Sequence, residues 1–288
     1  MTGTEHGIER VGVAGCGLMG RGIAEVCALA GYRTVVREVE QGLLDRGLEA
    51  IARSLGKSVE KGRLEPAAAA AARERLGATL EVTRLAECDL VIEAIVENLD
   101  AKRALFQELD ARAPPATLLA SNTSSLTLTQ LAASTGRGDR FLGLHFFNPV
   151  PAMRLVEVVG TLLTSEQTLA LGRSFVESLG KTPVACKDNS GFIVNRLLVP
   201  YLLDAIRALE NGVGSVEDID VAMKLGCGYP MGPFTLLDFV GLDTVLFIAD
   251  IMFDEYRERR FAPPPLLKQM VQAGRLGRKS GRGFYAHD

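Results

Sequence analysis

A chain of 288 residues with a formal net charge of -3 and interspersed acids and bases has apolar material for one large domain or two smaller ones. No dense Lys/Arg block points to a nucleic-acid partner, and Cys16, Cys27, Cys88, Cys186 and Cys227 form no CxxC pair, which argues against a disulfide framework or a metal site. The amino terminus lacks the basic start and apolar stretch of a signal peptide. The longest apolar stretch, 234–253, carries Asp238, Asp243 and Asp250, each costing about 2.5–3.5 kcal/mol at a bilayer centre, so no membrane association is expected and a reducing cytoplasm is the expected location.

In chain order, residues 8–14 predict a strand, Gly15, Gly17 and Gly20 a tight turn, and 23–30 a helix stopped by Gly31. Residues 32–37 make a second strand. The charged stretch 43–76 predicts an inserted helical hairpin, broken at Gly62 and restarted at Pro66. Strands follow at 78–82, 90–95, 117–120 and 141–145, with a helix at 101–109; strands and helices in alternation imply a doubly wound, mostly parallel α/β sheet of Rossmann type. Residues 154–159 and 182–186 predict further edge strands. From Gly191 the pattern turns helical, over 192–210, 215–224 and 235–259. The expected domains are 1–188, a dinucleotide-binding α/β domain, and 189–288, an all-helical domain.

Gly15-Cys-Gly-Leu-Met-Gly20 matches GxGxxG in its required context: a strand before it, a helix after it, and Glu38 closing the next strand about twenty residues on, where a ribose-binding acid is expected. Glycines let the backbone approach a pyrophosphate, and the helix amino terminus offers free N–H groups. Glu38 favours NAD over NADP, while Arg37 beside it offers a guanidinium to a 2′-phosphate.

Three histidines occur; His6 and His287 are expected to fray with the termini, leaving His145 for the folded body. It lies in an apolar strand that breaks at Asn148-Pro149, and Glu157 follows twelve residues later in a second apolar run. An imidazole with an orienting carboxylate suits proton transfer near neutral pH; a core histidine bonded to a backbone carbonyl, and a Glu157 turned to water at a sheet edge, are the competing explanations. Ser121, Thr123, Ser124 and Ser125 follow a strand's carboxyl end, where open α/β sheets bind ligands, or else form a capped loop. Asn195 inside an apolar helix is either a packing contact or a ligand contact.

Gly15-Cys-Gly-Leu-Met-Gly20, Glu93-Ala-Ile-Val-Glu-Asn98, Ala120-Ser-Asn-Thr-Ser-Ser-Leu126, Gly143-Leu-His-Phe-Phe-Asn-Pro149, Ser190-Gly-Phe-Ile-Val-Asn-Arg196 and Gly281-Arg-Gly-Phe-Tyr285 together resemble the successive motifs of the monofunctional 3-hydroxyacyl-CoA dehydrogenases, with the 3-hydroxybutyryl-CoA branch most similar. The resemblance runs from residue 10 to 285. It implies that His145 takes the hydroxyl proton, that Glu157 holds and charges it, and that Ser124 and Asn195 hydrogen-bond the reacting substrate. It places Gly15, Gly17, Leu18, Met19, Gly20, Glu38, Ala94, Glu97, Lys102, Asn148 and Lys279 around NAD. Ser54 and Lys61, with Lys57 at helical spacing between them, fall where the family contacts the adenosine phosphates of coenzyme A; solvated helix charges are the alternative. A homodimer through the helical domain is implied as well.

Two positions depart from the family pattern. Cys16 stands in the phosphate turn where alanine is usual, raising the prospect of an oxidation-sensitive cofactor site. Tyr229 replaces a frequent histidine. Rival functions keep the fold but act on a free hydroxy acid such as L-gulonate or on an acyl carrier protein thioester; a third is a non-catalytic role like that of the lens λ-crystallins.

Overall fold

The computed structural model describes residues 7–287, so His6 lies outside the described residues. The chain forms two compact units, one ending at Asp188 and the other beginning at Asn189.

The first unit is built on an eight-stranded sheet of order β3-β2-β1-β4-β5-β6-β7-β8. Its strands are β1 (Arg10–Ala14), β2 (Arg33–Arg37), β3 (Leu76–Thr79), β4 (Leu90–Glu93), β5 (Leu118–Ser121), β6 (Phe141–Phe146), β7 (Leu155–Gly160) and β8 (Thr182–Lys187). Strands β4, β5 and β6 are buried along their whole length, the mark of sheet strands covered on both faces. Helices α1 (Leu18–Leu29), α2 (Gln41–Glu60), α3 (Pro66–Glu74), α4 (Val82–Ala86), α5 (Leu99–Arg112), α6 (Leu128–Ala132) and α7 (Glu166–Ser178) connect the strands. The expected hairpin is α2 and α3, with Gly62 at φ +64° between them and Pro66 opening α3.

The parallel order breaks once. A loop without a crossover helix joins β6 to β7, so they pair antiparallel, whereas α7 carries the chain across to β8, which pairs parallel to β7. Helix α7 was not among the predicted elements: its buried face includes Thr168 and Gly172 beside Phe175 and Val176, a weak apolar signal, although Ser165 caps it by accepting from the Thr168 amide. The strand expected at 78–82 lies earlier, at Leu76–Thr79, because Val82 already opens α4.

The second unit consists of α8 (Val194–Glu210), α9 (Val216–Gly226), α10 (Pro233–Val240), α11 (Leu242–Tyr256) and α12 (Pro265–Gln272) around Leu202, Leu203, Ile206, Phe234, Leu237, Val245 and Met252. The stretch expected to be helical over 235–259 is divided by Gly241 at φ +99°. Asp220 and Asp238, both buried, bind this unit together. Asp220 accepts from the amides of Phe234 and Thr235 and from the Tyr285 hydroxyl. Asp238 accepts from the amides of Phe284 and Tyr285, both at 2.9 Å, and meets His287 Nε2 at 2.8 Å. The expectation that His287 frays is therefore corrected: a buried carboxylate needs donors, and the chain end supplies them. No helix is long and apolar enough to cross a membrane among the described residues.

Candidate active site

The glycine turn has the shape that a dinucleotide requires. Gly15 has φ +98°, and a Cβ there would lie 2.5 Å from the Ala94 carbonyl; a Cβ on Gly20 would lie 1.9 Å from the Gly15 carbonyl, whereas one on Gly17 would meet nothing. The outer glycines serve the turn and the strand-to-helix packing, and the middle one leaves the backbone open to a ligand. Exposed Leu18 and partly exposed Met19 begin α1, whose first turn carries no acid to oppose an anion. Glu38, just beyond β2, reaches over this turn: its Oε1 accepts from the Cys16 amide at 2.7 Å and its Oε2 from the Val39 amide at 3.0 Å. Arg37 Nε donates instead to the Leu80 carbonyl at 3.2 Å. These residues fit a bound NAD.

Cys16 itself is buried, and burial, with the Glu38 carboxylate adding to it, pushes its thiol up to about 11. Thiolate is scarce at neutral pH, so the expected oxidation sensitivity is not supported by its surroundings. The thiol lies against Gly47 of α2, where a Cβ would come within 2.2 Å of Sγ.

The imidazole and the carboxylate expected to work together are neighbours. His145 on β6 and Glu157 on β7 are register partners, and Nδ1 lies 2.6 Å from Glu157 Oε2. Glu157 has no exposed surface and His145 is 5% exposed, which removes the reading of Glu157 as a water-facing edge residue. A carboxylate in such a place is stable only when partnered, and it selects the tautomer with hydrogen on Nδ1, putting the basic lone pair on Nε2.

Beside this pair a hydroxyl-rich loop closes β5. Asn122 Oδ1 accepts from the Phe146 amide at 2.9 Å, fastening the loop to the end of β6. Glu97 organises the rest: it accepts from the hydroxyls of Thr123 and Ser125 and, at 3.3 Å, from the Ser124 amide. Lys102, 1% exposed, sets its ammonium 2.5 Å from Glu93 and 3.1 Å from Glu97, and Ser121 Oγ donates to Glu93 at 2.6 Å. Burial alone would raise the Glu97 carboxyl, but Lys102 and the two hydroxyls outweigh it and hold it below its usual range. Two of the three ammonium donors of Lys102 are thus engaged. Glu93 was not foreseen as a site residue. An acid ending a strand of otherwise apolar residues, Leu90-Val-Ile-Glu93, was the available signal.

Asn148 is exposed on the loop after β6, which Lys181 ties down by donating to the carbonyls of Val150 and Met153 at 2.6 and 2.7 Å. Next to this loop a cavity of about 340 Å³ is lined by Arg21, Glu25, Arg53, Ser54 and Lys57 among others. Ser54 donates to buried Glu25 at 2.9 Å. Exposed Lys61, one turn further, is not among the lining residues. In the second unit Asn195 is half-buried on α8, Lys279 pairs with Asp243 at 2.6 Å, and Tyr229 stacks edge-on against Tyr201. Among the described residues no cluster of metal-ligating side chains occurs.

A turn built to receive a dinucleotide after β1 and a buried His–Glu pair on β6 and β7 of the same sheet define a nucleotide-dependent oxidoreductase. Residues 10–189 match the model of the 3-hydroxyacyl-CoA dehydrogenase NAD-binding domain, and residues 191–287 match that of the 3-hydroxyacyl-CoA dehydrogenase C-terminal domain. The chain belongs to the 3-hydroxyacyl-CoA dehydrogenase family. A 3-hydroxybutyryl-CoA dehydrogenase of Mycobacterium tuberculosis is 49% identical over 282 residues, covering 97% of this chain and 99% of that protein. The mitochondrial hydroxyacyl-coenzyme A dehydrogenase of Rattus norvegicus is 50% identical over 287 residues, covering 97% and 91%. The crystal structure of (S)-3-hydroxybutyryl-CoA dehydrogenase from Ralstonia eutropha superposes with a TM-score of 0.94 at 41% identity, covering 98% of this chain and 99% of that one.

Proposed function

We propose that this chain interconverts an (S)-3-hydroxyacyl-CoA and the corresponding 3-oxoacyl-CoA with NAD, and that its substrates are the short-chain pair 3-hydroxybutyryl-CoA and acetoacetyl-CoA. The observation that carries this is the buried His145–Glu157 pair beside the loop that bears Ser124. His145 Nε2 removes the C3 hydroxyl proton, and the Glu157 carboxylate stabilises the imidazolium that forms. NAD, when bound, would supply the acceptor for the hydride that leaves C3. Ser124 and Asn195 hydrogen-bond the reacting oxygen, so the charge developing there meets donors already in place. Asn195 and Lys279 belong to the second unit, and their roles rest on the family resemblance.

Gly15, Gly17, Leu18, Met19 and Gly20 would hold the pyrophosphate, Glu38 the adenosine ribose, and Ala94, Glu97, Lys102, Asn148 and Lys279 the remainder of the cofactor. A carboxylate at position 38 repels a 2′-phosphate, and Arg37 is drawn toward Leu80, which together support NAD over NADP. The cationic cavity at Arg21, Arg53 and Lys57 supports a thioester that carries nucleotide phosphates over a free hydroxy acid, with Ser54 and Lys61 as further contacts. Acetoacetyl-CoA should oxidise NADH in the presence of the protein, and His145→Gln should lower the rate by roughly 10²- to 10⁴-fold. Equal rates for parent and variant would remove His145 as the base, and no turnover of any acyl-CoA would remove the substrate assignment.

A further inference from the structure

Strand order fixes which end of a dinucleotide each group meets. Glu38 follows β2, the glycine turn follows β1, and Glu93 and Ser121 close β4 and β5, across β1 from Glu38 and toward β6 with His145. A cofactor whose adenosine ribose meets Glu38 and whose pyrophosphate crosses the turn carries its nicotinamide toward β4 and β5. That is where Glu93, Glu97 and Lys102 sit, with side chains 0%, 24% and 1% exposed.

Hydrogen bonding defines the charges of this triad. Glu93 accepts from Lys102, from the Ile95 amide at 2.8 Å and from Ser121 Oγ at 2.6 Å. Ser121 Oγ also accepts from the Thr123 amide at 3.2 Å, and of the three Glu93 partners the Lys102 ammonium and the Ile95 amide can only donate. A protonated Glu93 would keep all three only if the Ser121 hydroxyl turned from donor to acceptor. Burial pushes the Glu93 carboxyl up, yet these donors and the ammonium favour its ionised form. Glu97 likewise accepts from Thr123, Ser125 and Lys102. Two carboxylates and one ammonium leave one surplus negative charge where water screens poorly.

We propose that this surplus charge discriminates between the two redox forms of the cofactor, favouring the oxidised one, and that Glu93 is the positioning residue that supplies it. The oxidised nicotinamide ring carries a positive charge and the reduced ring none. Contacts to adenine, ribose and pyrophosphate are common to both forms and cancel in the ratio of their affinities. Glu93, whose side chain has no exposed surface, makes this contribution without touching the cofactor. The proposal rests on the NAD-dependent reading above.

Calorimetric titration of the full chain with NAD⁺ and with NADH, in the parent and in Glu93→Gln, Glu97→Gln and Glu93→Asp, tests it. The ratio of the NAD⁺ Kd to the NADH Kd should rise about tenfold in Glu93→Gln and in Glu97→Gln, each of which removes one negative charge. Glu93→Asp keeps the charge and should stay within about twofold of the parent. Should Glu93→Gln fail to fold, Glu97→Gln decides. An unchanged ratio, or equal weakening of both forms, overturns the proposal. A parent that binds neither form overturns the dehydrogenase reading, and the proposal with it.

Discussion

Glu157 has no exposed surface and its Oε2 lies 2.6 Å from His145 Nδ1, so the pair works as a unit. Glu157→Gln preserves shape and one acceptor but removes the charge that steadies an imidazolium. It should lower kcat by about 10²-fold or more while KM for acetoacetyl-CoA stays within severalfold, because the loss falls on the transition state. Steady-state kinetics check this; a fall confined to KM would assign Glu157 to binding. The pairing was legible in sequence because both residues interrupt apolar strands, and an interruption of that kind needs a reason. The bonds of Glu93 and Asn122 were not legible, since the strands that deliver their partners are set by the sheet order rather than by sequence distance. His287 was misjudged for a related reason: its partner, Asp238, lies 49 residues earlier.

At the scale of elements, α5 ends against Arg137. The guanidinium meets Asp110 Oδ1 at 2.6 Å and donates to the carbonyls of Asp110, Ala113 and Pro114 at 2.9, 3.0 and 2.6 Å, satisfying groups that a helix end leaves open. Arg137→Ala should destabilise the first unit by roughly 2–4 kcal/mol and lower Tm by roughly 5–10 °C. Differential scanning calorimetry reads the shift, and a change under about 1 °C would deny Arg137 this part. Burial alone would raise the Asp110 carboxyl, but the Gly136 amide and Arg137 outweigh it and hold it below its usual range. A depressed folded value contributes stability that is present above the unfolded value of about 3.9 and is lost as pH falls through the folded one. The stability of the parent should therefore fall more steeply below about pH 4 than that of Arg137→Ala. The hairpin of α2 and α3 was readable from Gly62 and Pro66, whereas α7 was hidden by the small residues of its buried face.

For the whole molecule, Leu197, Val221, Leu225, Phe239 and Phe247 of the second unit are 65%, 54%, 76%, 45% and 45% exposed. Apolar side chains in that number support the homodimer that the family resemblance implies. Sedimentation equilibrium should give twice the chain mass of 30.9 kDa. Leu225→Glu combined with Phe247→Glu should return the monomer, and an unmodified chain that sediments as a monomer at micromolar concentration would refute the dimer. The division near residue 188 was visible in sequence as the point where strands stop. Sequence does not state which apolar residues of the helical part face inward, because its helices carry apolar residues on more than one face.

The contact between Cys16 and Gly47 has a bearing on engineering. The dinucleotide signature is written as six consecutive residues, yet its surface includes a seventh position on α2, where any Cβ would also crowd the Cys16 carbonyl at 2.7 Å. A chimera that transplants residues 15–20 into another scaffold would carry the turn without the notch that admits it. One that exchanges the inserted hairpin would keep the turn intact only if the new helix brings glycine to the same place.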